Sequence, residues 1–519
     1  MKTRGLIQSM ALTALAALGA QAQGTAPAAV QVTVHADTPQ WVIDRHIYGQ
    51  FAEHLGHGIY DGLWVGEQSA IPNTRGLRND VVQALRELHV PVVRWPGGCF
   101  ADTYHWRDGI GPPQERPRTV NGTWGNVVET NAFGTHEFMD LAEQIGAEAY
   151  ISLNVGGGTV QEARDWVEYL TSDADSALAR LRRKNGRQLP WKIAYLGVGN
   201  EAWGCGGNMR AEYYADVFRR YQAFLRSTNG SIPLYASGAS GGDYRWTEVL
   251  MQQAGELLGG LSLHQYTLVT GDFNHKGPAT GFDETAWAQT LKHALDMDSL
   301  VQGHSDRMDR YDPARKVPLA VDEWGTWYDV EPGTNPGFLY QQNTLRDALV
   351  AAVTLNIFHA HGDRVKMANI AQMVNVLQAM ILTDGPRMLR TPTYHVFEMY
   401  KVHQDARYLP VTVSAPTYTL GDLSMPAASV SASRDAAGLI HLSLVNLDPH
   451  HAAAVSTRIA GQAIAHAQGR VLTAAAIDAH NTFDQPDGVI PMPLHGISFS
   501  GNTLQVTLPP KAVAVLEIR

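Results

Sequence analysis

Cysteine is almost missing from this chain: Cys99 and Cys205 are the only two in 519 residues. Two cysteines cannot staple so long a chain, and a structural zinc site usually needs four close ligands. Charge is sparse as well, at 17% of residues, with a net balance of -10. An acidic excess argues against nucleic acid or an anionic membrane as the main partner. Beyond the first residues no segment joins 18 uncharged apolar residues, so no membrane-spanning helix is expected. The stretch "NVGGGT" (Asn154 to Thr159) lacks the G-K-[ST] ending of a phosphate loop, and no glycine-rich dinucleotide loop follows the first strand. "FAEHLGHGIYDG" offers Glu53, His54 and His57 as metal ligands, but not in the helical H-E-x-x-H pattern. Neither a metal nor an organic cofactor is expected.

What is present is a large apolar fraction, 45%, with 12 Trp and 19 Tyr. That composition fits a folded protein of two or three domains, and aromatic rings serve cores and sugar clefts alike. At the start, Lys2 and Arg4 precede the apolar run Met10 to Leu18, and "AQA" at Ala20 to Ala22 is a small-x-small cleavage signal. A signal peptide over residues 1–22 is expected, which makes the mature protein periplasmic or secreted.

Apolar runs that end in polar residues recur along the chain, with helical segments between them. They are His46 to His54, Val90 to Gly98, Ala149 to Gly157, Ile193 to Glu201, Pro233 to Gly238, Gly260 to Thr267, Val317 to Gly325 and Val365 to Gln372. Strands buried on both faces belong to parallel sheets, and eight of them predict a (β/α)₈ barrel over residues 41–395. From 396 to 519 the chain alternates apolar and polar residues between Gly, Pro and Asn turns, as in an antiparallel β-sandwich. A segment at 29–40 has the same alternation and is expected to join that sandwich.

The barrel rule puts function at the C-terminal ends of the strands. "GVGNEAWGCGG" places Asn200 and Glu201 at the end of strand four, and "LAVDEWGTW" places Glu323 at that of strand seven. Two carboxylates facing each other across a barrel mouth are what glycosidic bond hydrolysis requires: one protonated to donate, one ionised to attack or to activate water. The plainer reading makes each a salt-bridged strand end. His264 and Tyr266 share one face of strand six, and Tyr266 is placed to donate to the ionised carboxylate. Glu53 is a candidate for gripping sugar hydroxyls, with a salt bridge to Arg94 as the alternative. The Pro-Gly-Gly turn after Trp95 is expected to let backbone approach a ligand.

With these residues in view, the chain resembles the α-L-arabinofuranosidases of glycoside hydrolase family 51. "IYGQFAEHLGHGIYDGLW", "VVRWPGG", "YHWRDGIGP", "GVGNEAWGCGG", "VDEWGTWY" and "NIAQMVNVLQAMI" carry the likeness, in order, over nearly all of the mature chain. The resemblance implies a retaining barrel enzyme with Glu201 as acid/base and Glu323 as nucleophile. It implies sugar contacts from Glu53, Asn200, His264, Tyr266 and Gln372, and it marks Cys99 as a further substrate-binding position. Trp64, Trp106 and Trp203 join Trp327 as candidates for stacking on neighbouring sugars. Implied partners are arabinan, arabinoxylan and their oligosaccharides, and relatives often assemble as homo-oligomers. Two departures stand out. Many members carry asparagine at Cys99, so a sugar contact is lost or the cysteine has another task; Cys99 and Cys205 are paired, two free buried thiols, or reactive. Gly325 replaces a frequent asparagine and is expected to open a loop beside the cleft. Rival readings are an endo-acting glucanase or xylanase on the same barrel, and a barrel that binds carbohydrate without turnover.

Overall fold

The computed structural model describes residues 28–519, so the expected leader at 1–22 lies outside the described residues. Eight parallel strands close into a barrel. In chain order they are Gly49–Phe51, Val92–Trp95, Glu148–Leu153, Tyr195–Val198, Leu234–Ser240, Gly260–Thr267, Leu319–Thr326 and Val365–Ala371. Closure comes from the eighth strand, where Asn369 pairs with Gly49. The first strand is shorter than its apolar run suggests. Asp44 accepts the His46 N–H at 3.0 Å and starts a helical turn, Arg45–Tyr48, which takes those residues out of the ladder.

Helices cover the outside of the barrel, which is why its strands read as continuous apolar runs. Asn79–Glu87 turns Val81, Val82, Ala84 and Leu85 inward. The helix between strands seven and eight, Leu345–Ala360, is different. It is buried nearly all round, because its outer face meets the sandwich strands Ala428–Arg434 and Ile440–Asn446. Its polar residues are paired across that boundary: Asn356 donates to the Ser429 hydroxyl at 3.0 Å, and His359 Nδ1 meets Ser431 Oγ at 2.9 Å. The two domains therefore share one buried seam.

The sandwich has a five-stranded and a six-stranded sheet. Strand Ala28–Val34 lies inside the smaller one and contributes Val30, Val32 and Val34 to a core shared with Leu442, Leu504 and Leu516. Each buried valine is worth about 1.5–3 kcal/mol, so this strand is part of the sandwich core. It pairs antiparallel with Val411–Ser414, but parallel with Ala453–Ile459. The other strand pairs of the two sheets are antiparallel, as expected of the sandwich, and this one pair is parallel. A strand supplied from the far end of the sequence is not bound by a hairpin to its neighbour, so its direction is free.

Candidate active site

Strand seven carries one residue more than its neighbour. Ser262 pairs with Ala320, whereas His264, two residues on, pairs with Glu323, three residues on. Such a bulge breaks the alternation of faces. Asp322 and Glu323 both reach groups inside the barrel as a result.

Glu323 is held on both oxygens. Its Oε1 accepts from Arg94 Nη1 at 2.9 Å, and its Oε2 accepts the Tyr266 hydroxyl at 2.9 Å. Arg94 also donates to the Asp322 carbonyl at 3.2 Å and to Asn200 Oδ1, and it lies over the Phe51 ring, 4.6 Å from the centroid. Burial opposes charge on Arg94, but Asp322 and Glu323 outweigh it and hold the guanidinium pKa above its ordinary value. Burial likewise pushes the Asp322 carboxyl up, and Arg94 and His264 bring it below the usual range. Tyr150 completes the set by donating to Asp322 Oδ2 at 2.9 Å.

Glu201 faces this cluster from strand four. Gly199 before it has a φ of +80°, and an added Cβ there would lie 2.3 Å from a Val155 methyl. Only glycine fits that bend. Glu201 itself has a φ of +42°, rare for a residue with a side chain. Its Oε1 meets His264 Nδ1 at 2.9 Å, and single atoms of Glu201, His264 and Glu323 all lie within 4.8 Å of one another. Burial raises the Glu201 pKa; the His264 contact opposes the rise and Glu323 adds to it. His264 Nε2 lies 3.2 Å from Asp322 Oδ1. Burial works against an imidazolium there, but Glu323, Asp322 and Glu201 together push the ring up to about 10.

Glu53 does not pair with Arg94, so the expected alternative is set aside. Its carboxylate accepts from the Phe100 N–H at 2.9 Å, Trp124 Nε1 at 2.8 Å and Gln372 Nε2 at 3.2 Å. A Cβ at Gly98 would sit 2.6 Å from both Glu53 oxygens. The glycines after Trp95 thus bring backbone close to a carboxylate of the protein itself, where a bound ligand was expected. Burial and the nearby Glu323 raise Glu53 to about 7 against its donors.

Asn200 is anchored from below. Its N–H donates to Asp102 Oδ2 at 2.9 Å, while Asp102 Oδ1 accepts from Val155 and Gly156 at 2.7 and 2.8 Å. One buried carboxylate therefore ties together the loops after strands two, three and four. Burial lifts Asp102 to about 6 in spite of these donors. His54 accepts from Trp95 Nε1 at 3.2 Å and meets Glu129 at 2.9 Å, so both its nitrogens have protein partners.

Cys99 and Cys205 form a disulfide. The reading of two buried thiols is corrected, and Cys99 offers no thiol to a sugar. Closing the barrel brings the loops after strands two and four together, with the two Cα atoms 5.5 Å apart, although 106 residues separate them in sequence. Gly325 is also reinterpreted. It is buried inside strand seven, paired with Tyr266, at a φ of +142°, and a Cβ would lie 3.3 Å from the Ala371 carbonyl. It opens no loop.

The tryptophans divide. Trp106 is core, 1% exposed, and Trp64 packs on Tyr60, so neither is a stacking platform here. Trp203 and Trp327 line a cavity of about 460 Å³ that opens on Glu201, with Phe273 and Gln265. Trp327 stands edge-on to Tyr266, with ring centroids 4.9 Å apart. Asp322, Asp102 and Trp124 were not singled out in the sequence. An acid directly before Glu323 was the one available signal.

Two close carboxylates, one accepting from Arg94 and Tyr266 and one whose pKa is raised by burial, at the mouth of a (β/α)₈ barrel, define a glycoside hydrolase site of the retaining type. Residues 84–273 match the family model described as the α-L-arabinofuranosidase 1 domain, and residues 322–512 that of the α-L-arabinofuranosidase C-terminal domain. An intracellular exo-α-L-arabinofuranosidase of Bacteroides ovatus is 51% identical over 521 residues, covering 100% of both chains. The crystal structure of the GH51 arabinofuranosidase from Xanthomonas axonopodis pv. citri is 53% identical, with a TM-score of 0.93 over 95% of this chain and 100% of that one. An arabinose complex of the Thermotoga maritima α-L-arabinofuranosidase is 31% identical, with a TM-score of 0.83 over 94% and 99%. The chain belongs to the α-L-arabinofuranosidases of glycoside hydrolase family 51.

Proposed function

We infer that this protein is a retaining, exo-acting α-L-arabinofuranosidase that releases arabinose from arabinose-containing polysaccharides and their oligosaccharides. The observation that carries the reading is the unequal pair: Glu323 receives two donors, while Glu201 is raised by burial beside it. Glu323 attacks the anomeric carbon as Glu201 protonates the leaving oxygen. An arabinosyl ester on Glu323 follows, and Glu201, now ionised, takes a proton from the water that releases the sugar with retained configuration. Retention needs carboxyl groups about 5–5.5 Å apart, which agrees with oxygens within 4.8 Å. Glu53, Gln372 and Asn200 are assigned to the sugar hydroxyls, and Trp327 to the rim.

Hydrolysis of aryl glycosides of α-L-arabinofuranose, β-xylopyranose and β-glucopyranose, run beside Glu323→Ala, tests this. Release from the arabinofuranoside alone, lost in the variant, supports it. Turnover only on the xyloside or glucoside favours the glucanase or xylanase reading instead.

Export is part of the proposal. The leader signal at residues 1–22 supports it, and so does the Cys99–Cys205 disulfide, because such bonds persist in oxidising compartments. The Bacteroides ovatus relative is named as intracellular, so cell fractionation is the test. A mature chain that starts at Gln23 outside the cytoplasm agrees with export. An uncleaved cytoplasmic chain overturns it.

A further inference from the structure

The Cys99–Cys205 disulfide lies against the acid/base candidate. Its sulfurs stand 3.9 and 3.6 Å from Glu201 Oε2, Cys205 being the nearer. Among the described residues no N–H or O–H donates to that oxygen, and a disulfide sulfur has no proton to give. Oε1 is already engaged with His264. The open valence for a proton on Glu201 is therefore Oε2, on the side that faces the sulfurs.

The bond also holds the backbone that presents Glu201. The loop from Glu201 to Gly207 contains three glycines, and Gly204 and Gly206 both donate to the Glu201 carbonyl, at 2.7 and 3.1 Å. A short glycine-rich loop that carries a residue at positive φ keeps that conformation only where its surroundings impose it. On the other side, Cys99 directly precedes Phe100, whose N–H holds Glu53. One covalent link thus joins the turn that wraps Glu53 to the loop that carries Asn200 and Glu201.

We propose that Cys99 and Cys205 are positioning residues for general acid catalysis by Glu201, and that their disulfide makes the enzyme's activity redox-sensitive: active when oxidised, impaired when reduced. The proposal rests on the assignment of Glu201 as acid/base. A dithiol reductant supplies two electrons and two protons; the S–S bond breaks, two S–H groups form, and the reductant is itself oxidised to a disulfide. Cys205 is exposed, which gives the reductant access. Reduction has two effects on Glu201. The loop loses its tether, and an S–H now stands beside Oε2 and donates to the carboxylate. Donation to the charged form favours it, so Glu201 gives up its proton at lower pH.

The test compares oxidised and dithiothreitol-reduced enzyme on two aryl arabinofuranosides, one with a poor leaving group and one with a dinitrophenolate that needs little protonation. Reduction is expected to lower kcat/KM on the poor leaving group by about 10-fold or more and on the activated one by less than about 3-fold, part of the 10²- to 10⁴-fold range of acid catalysis. The basic limb of the pH profile on the poor leaving group is expected to move to lower pH. The Cys99→Ser, Cys205→Ser double variant, checked by circular dichroism, should match the reduced enzyme without any reductant. Equal rates for oxidised and reduced enzyme on both substrates overturn the proposal, as does an equal fall on both, which marks a structural role. Two free thiols by titration in the untreated, active enzyme also overturn it. Glu201→Ala in the oxidised state separates the two claims: if that variant lacks the leaving-group dependence, the acid/base assignment fails and not the role of the disulfide alone.

Discussion

Arg94 and Glu323 form an ion pair at 2.9 Å with both side chains almost wholly buried. The pair spans strands two and seven, and the same guanidinium holds Asn200 next to Glu201. A single cation therefore sets the position of the nucleophile candidate and of the asparagine beside the acid/base candidate. Replacing Arg94 by Met leaves two buried carboxylates, Asp322 and Glu323, without their main counter-charge. The expected loss is about 3–5 kcal/mol of stability. kcat/KM should fall at the same time. Chemical denaturation and kinetics on an aryl arabinofuranoside check both.

Tyr266 tests the second donor more gently. Tyr266→Phe keeps the ring against Trp327 and removes only the hydroxyl that Glu323 Oε2 accepts. A hydrogen bond to a charged group contributes about 1.5–3 kcal/mol to stability, so Tm should fall modestly, and kcat/KM should fall with it as the nucleophile candidate loses a donor. An unchanged rate would separate Tyr266 from the chemistry.

Glu53 predicts a pH effect on stability. Its folded pKa is raised to about 7 by burial and by Glu323. The folded state therefore binds more protons than the unfolded chain between the ordinary carboxylate range and pH 7, and stability falls as pH rises through that window. Glu53→Gln has no charge to bury. Its Tm should vary less with pH over that range, while its kcat/KM is lower. A series of thermal melts from pH 4.5 to 7.5 measures the slope.

The seam between barrel and sandwich predicts the acid side. Burial alone pushes His359 down to about 3, and burial with His359 and His441 nearby pushes His403 well below its usual value. Tyr48 and Ser431 satisfy His359, while Ser433 and Ser443 satisfy His403. Unfolding releases rings that take up protons below about pH 6.5, so stability is present above that pH and falls as pH drops toward 3. His403→Gln should show a shallower loss of Tm between pH 6 and 4. A slope as steep as that of the parent would contradict this account.

Asp102 carries no chemistry but joins three loops. Asp102→Ala strands the N–H groups of Val155, Gly156 and Asn200, each donating at 2.9 Å or less. An expected loss of about 3 kcal/mol or more follows from three unsatisfied donors. Activity should fall with it, because Asn200 loses its anchor; urea unfolding beside kinetics reads both.

The barrel was legible because both faces of its strands are covered, so Leu319 to Val321 or Leu196 to Val198 read as unbroken apolar runs. The positions of Glu201 and Glu323 followed from where those runs end. Asp322 was hidden by the bulge, since strict alternation would have turned either it or Glu323 outward. Trp124 was hidden for another reason: it belongs to an irregular segment between the short strands Thr119–Asn121 and Val127–Glu129, with nothing in its neighbours to signal a contact with Glu53. The cysteine pair was visible but undecided, because only the closed barrel brings positions 106 residues apart into reach. Gly325 was expected to open a loop beside the cleft because it stands where an asparagine is frequent; no signal in the sequence showed that its backbone takes a positive φ within the strand and that the space beside it is filled by Ala371 and Gln378.

Azide rescue tests the division of labour between Glu323 and Glu201 most directly. With an activated aryl arabinofuranoside, Glu201→Ala should regain turnover in azide and give the α-L-arabinofuranosyl azide, because the anion attacks the ester on Glu323 and the configuration is retained. Glu323→Ala should instead give the β-azide by single displacement. The opposite pairing of anomers with variants, or no azide product from either folded variant, would contradict the assignment.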